Sequence, residues 1–567
     1  MVCYFLAYMP HPLLIIDEHR CLTQTPTKSA AMTRVLIIDC YIDEPASLGV
    51  PPFISPHVRA VAGAAIDAGA GIHYMTIDAV RRRDELPIAD LSVLMAGAGV
   101  PGRYLRTLPA SFREVRAVSE ILPGFRMLGG PASLDPEYNL LPSFDALAKV
   151  DAAASVFDMV TAGGPSTRWR SLDEWNRWLI LGAQIVLSHP DFPQPLIAEV
   201  ETYRGCLRYQ TGGCSFCIEP LKGAPVFREP SDIIKEAKVL NGLGVRNLRL
   251  GAQTCFVSYK ARKSGDDVTP NSEAIERLLS GISRLDLDVL HLDNADPSVI
   301  SRHPEESRTI IESIVEHCTS GNVLALGMES ADPKVIEANN LNSTPDQVLD
   351  AVKIINEAGG DRGENGLPRL LPGLNFLVGL DGESDRTLDL NLSFLKRVLE
   401  ERLLLRRINI RQVIPIRRKF RPGVSHSKFL RFKEQVRDSI DYPNLQRLVP
   451  KGTLLRDVYT ELREGNRTFG RQIGTYPILV GFEYPIEIGR FIDAKVVGWG
   501  RRSVTAVEYP LQVNTCTLAA LQSLPSIGKK RAARIARMRP IRSMIDMAAA
   551  IEDEQTLSLI APYFDLE

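Results

Sequence analysis

The sequence predicts an α/β protein built in successive parts, and three observations carry that reading. From Arg34 to about Pro131, short apolar runs alternate with helical stretches. From about Ile197 to Ile416 the alternation resumes with a longer period, and from Phe469 to Pro510 it gives way to short alternating strands separated by glycines. Strands alternating with helices imply parallel sheets covered by helices. At 567 residues the chain is too long for one core, so about three to four domains follow from length.

In the first part, Val35–Asp39, Ile72–Ile77, Val93–Gly99 and Met127–Pro131 read as strands, with an alanine-rich helix over His57–Gly69. The pattern predicts a doubly wound parallel sheet. Glycines at its strand ends let a ligand approach the backbone at the carboxyl edge. Met32-Thr-Arg-Val reads as the natural start of the first strand, which makes residues 1–31 an over-extended or disordered N-terminus.

In the second part, strands are expected over Glu199–Arg204, Val245–Leu250, Val289–Leu292, Val323–Leu326, Leu374–Val378 and Ile408–Ile414. Helices begin near Ser231, Asn271, Pro304, Thr344 and Ser384, several with serine or threonine caps and proline in the first turn. Six such units make a partial (β/α)6 TIM barrel, whose chemistry belongs at the carboxyl ends of the strands. Domain limits of 32–190, 195–420, 421–468 (a helical connector), 469–512 and 513–567 follow.

Three cysteines, Cys206, Cys214 and Cys217, follow the first barrel strand in Gly205-Cys-Leu-Arg-Tyr-Gln-Thr-Gly-Gly-Cys-Ser-Phe-Cys217. Three thiolates can hold three irons of a 4Fe-4S cluster and leave the fourth iron open. An open iron is what S-adenosylmethionine needs to bind through its amino and carboxylate groups. The competing reading is zinc, because a Cys-x2-Cys pair is a common half-site. The next cysteine, Cys255, lies 38 residues on, and no histidine falls between Cys206 and Cys255.

The segment resembles the radical-SAM superfamily, with a first cysteine gap of seven residues in place of the usual three. In that spacing it resembles an archaeal branch with a C-terminal helix-hairpin-helix. The resemblance implies S-adenosylmethionine contacts from Gly251 and Gln253 after strand two, from Gly327, Glu329 and Ser330 after strand four, and from Gly379 after strand five. Glu329 would accept from ribose hydroxyls and Ser330 would donate to the methionine carboxylate. Asn339, Asn340 and Asn342 are candidate substrate contacts, against a plain reading as loop and helix caps. The first part resembles the Rossmann-like domain that binds cobalamin in some relatives. Its Asp-x-His-x-x-Gly motif is absent here, and His57, His73 and His189 stand alone, so cobalamin is not expected.

The segment 469–512 resembles the TRAM domain, an OB-like RNA-binding barrel, with Phe482, Tyr484 and Trp499 as candidate base-stacking residues. Leu521-Gln-Ser-Leu-Pro-Ser-Ile-Gly528-Lys-Lys-Arg-Ala532 resembles a helix-hairpin-helix, with Ser526 where the first hairpin glycine stands. That resemblance implies phosphate contacts from Gly528, Lys529, Lys530, Arg531 and Arg534. Seven cations and no carboxylate lie between Lys529 and Arg542. Seven more lie between Arg402 and Lys419, where Arg411 alternates with apolar residues and can point into the barrel.

A net charge of −1 gives no global pull toward nucleic acid or membrane, so any such affinity must be local. Nine cysteines, six of them scattered, fit a reducing cytoplasmic compartment. No apolar run is long enough to span a bilayer. The expected function is radical modification of a nucleic acid, RNA in preference, with a ferredoxin or flavodoxin as electron donor. The rivals are cobalamin-dependent radical methylation of a protein or small molecule, and a non-enzymatic iron–sulfur protein that binds nucleic acid or senses redox state.

Overall fold

The computed structural model describes residues 33–41, 52–82, 85–97, 107–138, 141–264 and 267–566. The expectation for residues 1–31 lies outside them. Five strands, β1 (Arg34–Asp39), β3 (Gly71–Thr76), β4 (Leu91–Met95), β5 (Phe125–Gly129) and β6 (Ala146–Leu147), pair in parallel in the order β3-β1-β4-β5-β6. The period of two in β1 decides which face each side chain takes. Val35 and Ile37 join one core, and Leu36 and Ile38 join the other.

The first core lies under α1 (Pro56–Asp67), α4 (Ala152–Ala162) and α5 (Leu172–Gly182); the second lies toward α2 (Ile77–Val80) and α3 (Phe112–Ile121). Helices α1 and α5 cross at glycines. A Cβ on Gly63 would stand 1.8 Å from the Trp178 carbonyl, and one on Gly182 would stand 1.8 Å from that of Arg59. Trp175 and Trp178 of α5 are fully buried there, where truncating either to alanine would cost about 3–5 kcal/mol.

A two-residue strand, β2 (Phe53–Ile54), was not expected. It leaves this sheet and pairs in parallel with β7 (Ile197–Glu201), the first strand of the next unit. After β7 come the short pair β8 (Tyr203–Arg204) and β9 (Val226–Phe227), then α6 (Pro230–Gly242), β10 (Asn247–Gly251) and a hairpin of β11 (Arg262–Ser264) and β12 (Asp267–Thr269). The barrel continues through α7 (Ser272–Ile282), β13 (Val289–Leu292), β14 (Asn294–Ala295), α8 (Pro297–Arg302), α9 (Pro304–His317), β15 (Asn322–Glu329), α10 (Pro333–Ala338), α11 (Pro345–Gly359), β16 (Leu370–Val378), α12 (Asp385–Glu400) and β17 (Arg407–Gln412). Strand order β2-β7-β10-β13 and then β14-β15-β16-β17 makes a partial barrel whose two edges, β2 and β17, do not pair with each other.

Past α13 (His426–Val436) and α14 (Tyr442–Leu448) the chain turns to strand sooner than expected. The helical stretch foreseen over 421–468 ends at Leu448, and β18 spans Leu454–Glu464. With β19 (Arg467–Gln472), β20 (Leu479–Phe482), β21 (Phe491–Trp499) and β22 (Ser503–Glu508), it closes a five-stranded barrel. Charged residues along β18 hide its alternation, because only Leu455, Val458 and Thr460 of that strand are buried.

After β23 (Leu511–Gln512), the helices α15 (Leu518–Gln522), α16 (Lys529–Arg537), α17 (Met544–Ile551) and α18 (Glu554–Ile560) follow, and β24 (Phe564–Asp565) returns to pair with β23. These helices share one apolar cluster with the small barrel, so they form no separate module. Among the described residues no helix is long and apolar enough to cross a membrane.

Candidate functional site

Residues 205–225, held between the paired strands β8 and β9, carry the three cysteines on one wall of a cavity of about 1010 Å³. The turn before Cys214 demands glycine. Gly212 and Gly213 have φ of 78° and 58°, and a Cβ on Gly213 would come within 2.4 Å of Pro220.

Two arginines fix the loop. The Arg208 backbone N–H donates to Cys206 Sγ and its Nη1 donates to Cys214 Sγ, both at 3.4 Å. Arg417 Nη1 donates to the carbonyls of Gly212, Cys214 and Cys217 at 3.0 Å each. From α10 and its end, the Asn340 amide donates to the carbonyls of Thr211 and Gly213, and the Ser215 N–H donates to the Asn339 carbonyl. Asn339 and Asn340, candidate substrate contacts by sequence, therefore brace the cysteine loop. Asn342 does line the cavity and donates to Ser298 Oγ.

Burial pushes all three thiols up, Cys214 to about 11, with Arg208 opposing at Cys206 and Cys214. A bare thiolate is disfavoured there, and ligation to a cation is what stabilises the charged form. Among the described residues no three Cys, His, Asp or Glu side chains close around a single metal ion. A closed zinc site would need that convergence. A four-iron cluster gives each thiolate its own iron, so three half-buried cysteines on one loop, with N–H···S donors at Cys206 and Cys214, suit it. Cys255 takes no part; it is buried, and its sulfur accepts from the Asp296 N–H and from Ser258 Oγ.

Beneath the loop, a buried ion triad sets the end of β7. Glu236 of α6 pairs with Arg59 of α1 and with Arg228, both at 2.6 Å. Arg59 donates to the Glu199 carbonyl and Arg228 donates to that of Glu201 at 2.8 Å. Both carboxyl side chains line the cavity, and burial pushes Glu201 up to about 7. Sequence offered no sign of this triad, since its members are 177 and 8 residues apart.

Of the residues expected to meet S-adenosylmethionine, Gln253, Gly327 and Glu329 line the cavity. Glu329 sits at φ 54°, where β15 shifts register against β16 between Gly327 and Glu329. Such an irregularity re-aims a side chain next to a site. Gly251, Ser330 and Gly379 stand outside the lining. Ser330 is fully buried, and its Oγ accepts from the Asp332 N–H at 3.1 Å. The Gly379 N–H donates to both Glu383 carboxylate oxygens at 2.8 Å. Gly251 packs on Glu199, where a Cβ would meet Oε1 at 2.0 Å. Arg411 reaches the cavity as expected.

The front sheet contributes to the lining as well. Met95, Gly130 and Pro131, at the carboxyl ends of β4 and β5, line the same cavity. So does His57, which burial keeps neutral, its pKa lowered to about 3.

The terminal helices place the expected phosphate contacts unevenly. Gly528 caps α16 without a side-chain cap, no acidic residue stands in the first turn, and Lys529 and Lys530 are exposed. Arg531 is instead paired with Asp553 at 2.9 Å, and Arg534 is paired with Glu552. Carboxylates absent from the sequence neighbourhood thus arrive from the turn between α17 and α18. The expected stacking at Phe482 and Tyr484 is not supported either, for both are buried in the small barrel, where the Glu508 N–H donates to Tyr484 Oη at 2.9 Å. Trp499 is half-buried and donates to the Val449 carbonyl at 2.7 Å.

Residues 200–395 match the family model of the radical SAM superfamily. An uncharacterized protein of Methanocaldococcus jannaschii is 43% identical over 536 residues, 89% of this chain and 97% of its own. Another from Archaeoglobus fulgidus is 40% identical over 91% of this chain and 97% of its own. Among solved structures, the radical S-adenosylmethionine methyltransferase TsrM from Kitasatospora setae, with cobalamin and a 4Fe-4S cluster bound, is similar at 14% identity. That match covers 67% of this chain and 75% of TsrM with a TM-score of 0.45.

Proposed function

We propose, for a chain that belongs with these archaeal proteins to one family and is a radical SAM enzyme, that its substrate is a nucleic acid, RNA in preference to DNA. One observation carries the proposal, the start of α16. Two exposed lysines stand at the positive end of a helix whose first N–H groups have no side-chain cap. Cations there cost about 0.3–1 kcal/mol each, and an anion at the same place reverses the sign. A phosphate backbone satisfies both features, in keeping with the helix-hairpin-helix and OB-like resemblances of the C-terminal segments.

Cys206, Cys214 and Cys217 would hold a 4Fe-4S cluster, which supplies the electron for reductive cleavage of S-adenosylmethionine. The chain's own residues do the rest. Arg208 and Arg417 hold the cysteine loop, and Glu329 accepts from ribose hydroxyls inside the cavity. Mass spectrometry of RNA nucleosides from a deletion strain tests the reading. A modified nucleoside that disappears with the gene supports it, and an unchanged nucleoside profile in RNA and DNA overturns it.

A second reading, cobalamin-dependent methylation of a protein or small molecule, is favoured by the cavity wall that Met95, Gly130 and Pro131 contribute. Stoichiometric retention of cobalamin absorbance after gel filtration supports that reading, and free elution of the cofactor removes it.

A further inference from the structure

The segment between β17 and α13 meets the cysteine loop from outside the cavity. Arg417, Arg418, Lys419 and Arg421 stand outside the lining, whereas Ile416 and His426 on either side belong to it. Arg417 holds the carbonyls of Gly212, Cys214 and Cys217 at 3.0 Å each. Phe420 packs in the same small apolar cluster as Cys214 and Phe216, and the Arg418 guanidinium lies over its ring at 5.0 Å. Arg418, Lys419 and Arg421 are exposed. A molecule resting on this segment is therefore one side chain away from the backbone that carries Cys214 and Cys217.

Most of the carboxylates around the segment are engaged. Asp381 pairs with Arg418 at 2.8 Å and accepts from the Arg421 N–H at 2.9 Å, and Asp385 pairs with Lys428 at 2.5 Å. Glu219 pairs with Lys222 at 2.5 Å, and Glu383 is buried on the Gly379 N–H. Glu337 is exposed on α10, where Lys334, also exposed, carries the opposite charge. Arg208 and Arg417 bond to carbonyls and to Cys214 Sγ, so their charge answers the thiolates. The side chains of Lys419 and Arg421 meet no carboxylate among the described residues. They leave a positive rim on the outer side of the cysteine loop.

We propose that this outer face, with Arg418, Lys419 and Arg421 at its centre, is the docking surface for an acidic one-electron carrier protein. The inference goes beyond the substrate reading and does not depend on it. Redox encounters bury little area and rely on complementary charge to steer them. A rim of exposed cations, with no exposed large apolar residue between Ile414 and Phe429, suits such a partner. One electron leaves the carrier and enters the cluster, with no bond made or broken and no proton moved. The cavity side of the loop stays open to S-adenosylmethionine and the substrate. An RNA strand is the poorer occupant, because the substrate must reach the cavity and these cations stand outside its lining.

The test uses the full chain, anaerobically reconstituted, with an acidic flavodoxin as the probe. Biolayer interferometry over a salt series reads binding, and stopped flow from the flavodoxin hydroquinone reads transfer as semiquinone absorbance. Lys419→Glu with Arg421→Glu should weaken binding and slow transfer about tenfold at low salt, and the difference should close at high salt. Lys419→Ala with Arg421→Ala should give a smaller loss in the same direction, and Lys419→Arg with Arg421→Lys should retain both. Iron content and the extent of reduction by dithionite should match the native chain, which separates lost docking from a lost cluster. Charge-reversed protein that binds flavodoxin and accepts its electron like the native chain overturns the proposal. So does a native chain with no salt-dependent binding of flavodoxin. If the reversal instead weakens binding of a single-stranded oligoribonucleotide and spares flavodoxin, the face belongs to the substrate, and the nucleic-acid reading stands without it.

Discussion

Tyr476 reaches out of the small barrel, from the loop between β19 and β20, and donates to Asp293 of the larger barrel at 2.6 Å. Arg407 stacks over its ring at 4.1 Å. On the same loop the Thr475 N–H donates to His291 Nδ1 at 3.0 Å, and Ile473 and Tyr476 pack with Phe53, Ile197, Val323 and Ala325. The β19–β20 loop of the small barrel therefore packs against strands of the partial barrel, and its Tyr476 forms part of the cavity wall.

Removing the Tyr476 hydroxyl should be felt in stability. Tyr476→Phe keeps the ring and loses a buried bond to a carboxylate, worth about 1.5–3 kcal/mol. Tyr476→Ala should cost more, about 3–5 kcal/mol, by opening a cavity. Denaturant unfolding measures both, and an unchanged midpoint for Tyr476→Ala would show that the loop does not hold the two barrels together.

Acid should loosen the same junction. Burial lowers His291 to about 4, below the ordinary value of 6.5, and its Nδ1 is an acceptor. The folded chain binds fewer protons at this residue than the unfolded chain. Its contribution is complete above about pH 6.5 and is lost as pH falls toward 4. His291→Gln, which keeps an acceptor and does not titrate, should flatten the pH dependence of the melting temperature in that window.

Cluster retention should depend on a residue that touches no sulfur. Anaerobically reconstituted protein should hold about four irons per chain, and replacing Cys206, Cys214 and Cys217 by alanine should abolish iron and S-adenosylmethionine cleavage together. Arg417→Ala frees three loop carbonyls at once. It should leave the fold intact and shorten the lifetime of the cluster absorbance in air several-fold. Stoichiometric zinc without iron would contradict the cluster.

Glu329 offers a clean test of the S-adenosylmethionine side. Glu329→Ala keeps the same left-handed backbone requirement as the native residue and removes the carboxylate alone. Affinity for S-adenosylmethionine should fall about tenfold or more, the scale of one hydrogen bond to a charged group, with iron content unchanged. Isothermal titration on the reconstituted protein reads it, and equal affinity would take Glu329 out of the site.

At the terminal helices point changes are the informative variants, because excising residues 515–567 would strip apolar residues from the cluster they share with the small barrel. Lys529→Glu with Lys530→Glu should reduce RNA affinity and lower the salt slope by about 0.7 for each phosphate no longer neutralised. Ser526 has φ 61°, where a side chain is strained. Ser526→Gly should therefore stabilise the turn by up to about 1 kcal/mol and leave RNA binding equal or tighter. Weaker binding would indicate that the serine hydroxyl itself meets the ligand.

What the sequence revealed were local patterns. Val289–Leu292 is a strand with the limits its apolar run predicts, and Asn271 and Thr344 cap their helices through their side chains as their chemistry predicts. The cysteines are visible because spacing along the chain survives folding as a loop. Long-range partners are not. Arg417 is one cation among seven in its stretch, and nothing local marks it as the clamp. Ser330 and Gly379 match a motif, yet their polar groups are spent on Asp332 and Glu383. Glu552 and Asp553 neutralise Arg534 and Arg531 from beyond the cationic run, so charge counted along the chain overstates the charge presented.

Strand β2 is only two residues long, yet it caps the edge of β7 through Phe53 and Ile54. A barrel excised at residue 195 would lose that cover and bare a row of unpaired N–H and C=O groups beside an apolar strand. Such an edge templates self-association. The catalytic half is therefore not an expressible fragment, and any minimal soluble version must carry the stretch around residues 52–54, with the chain that tethers it.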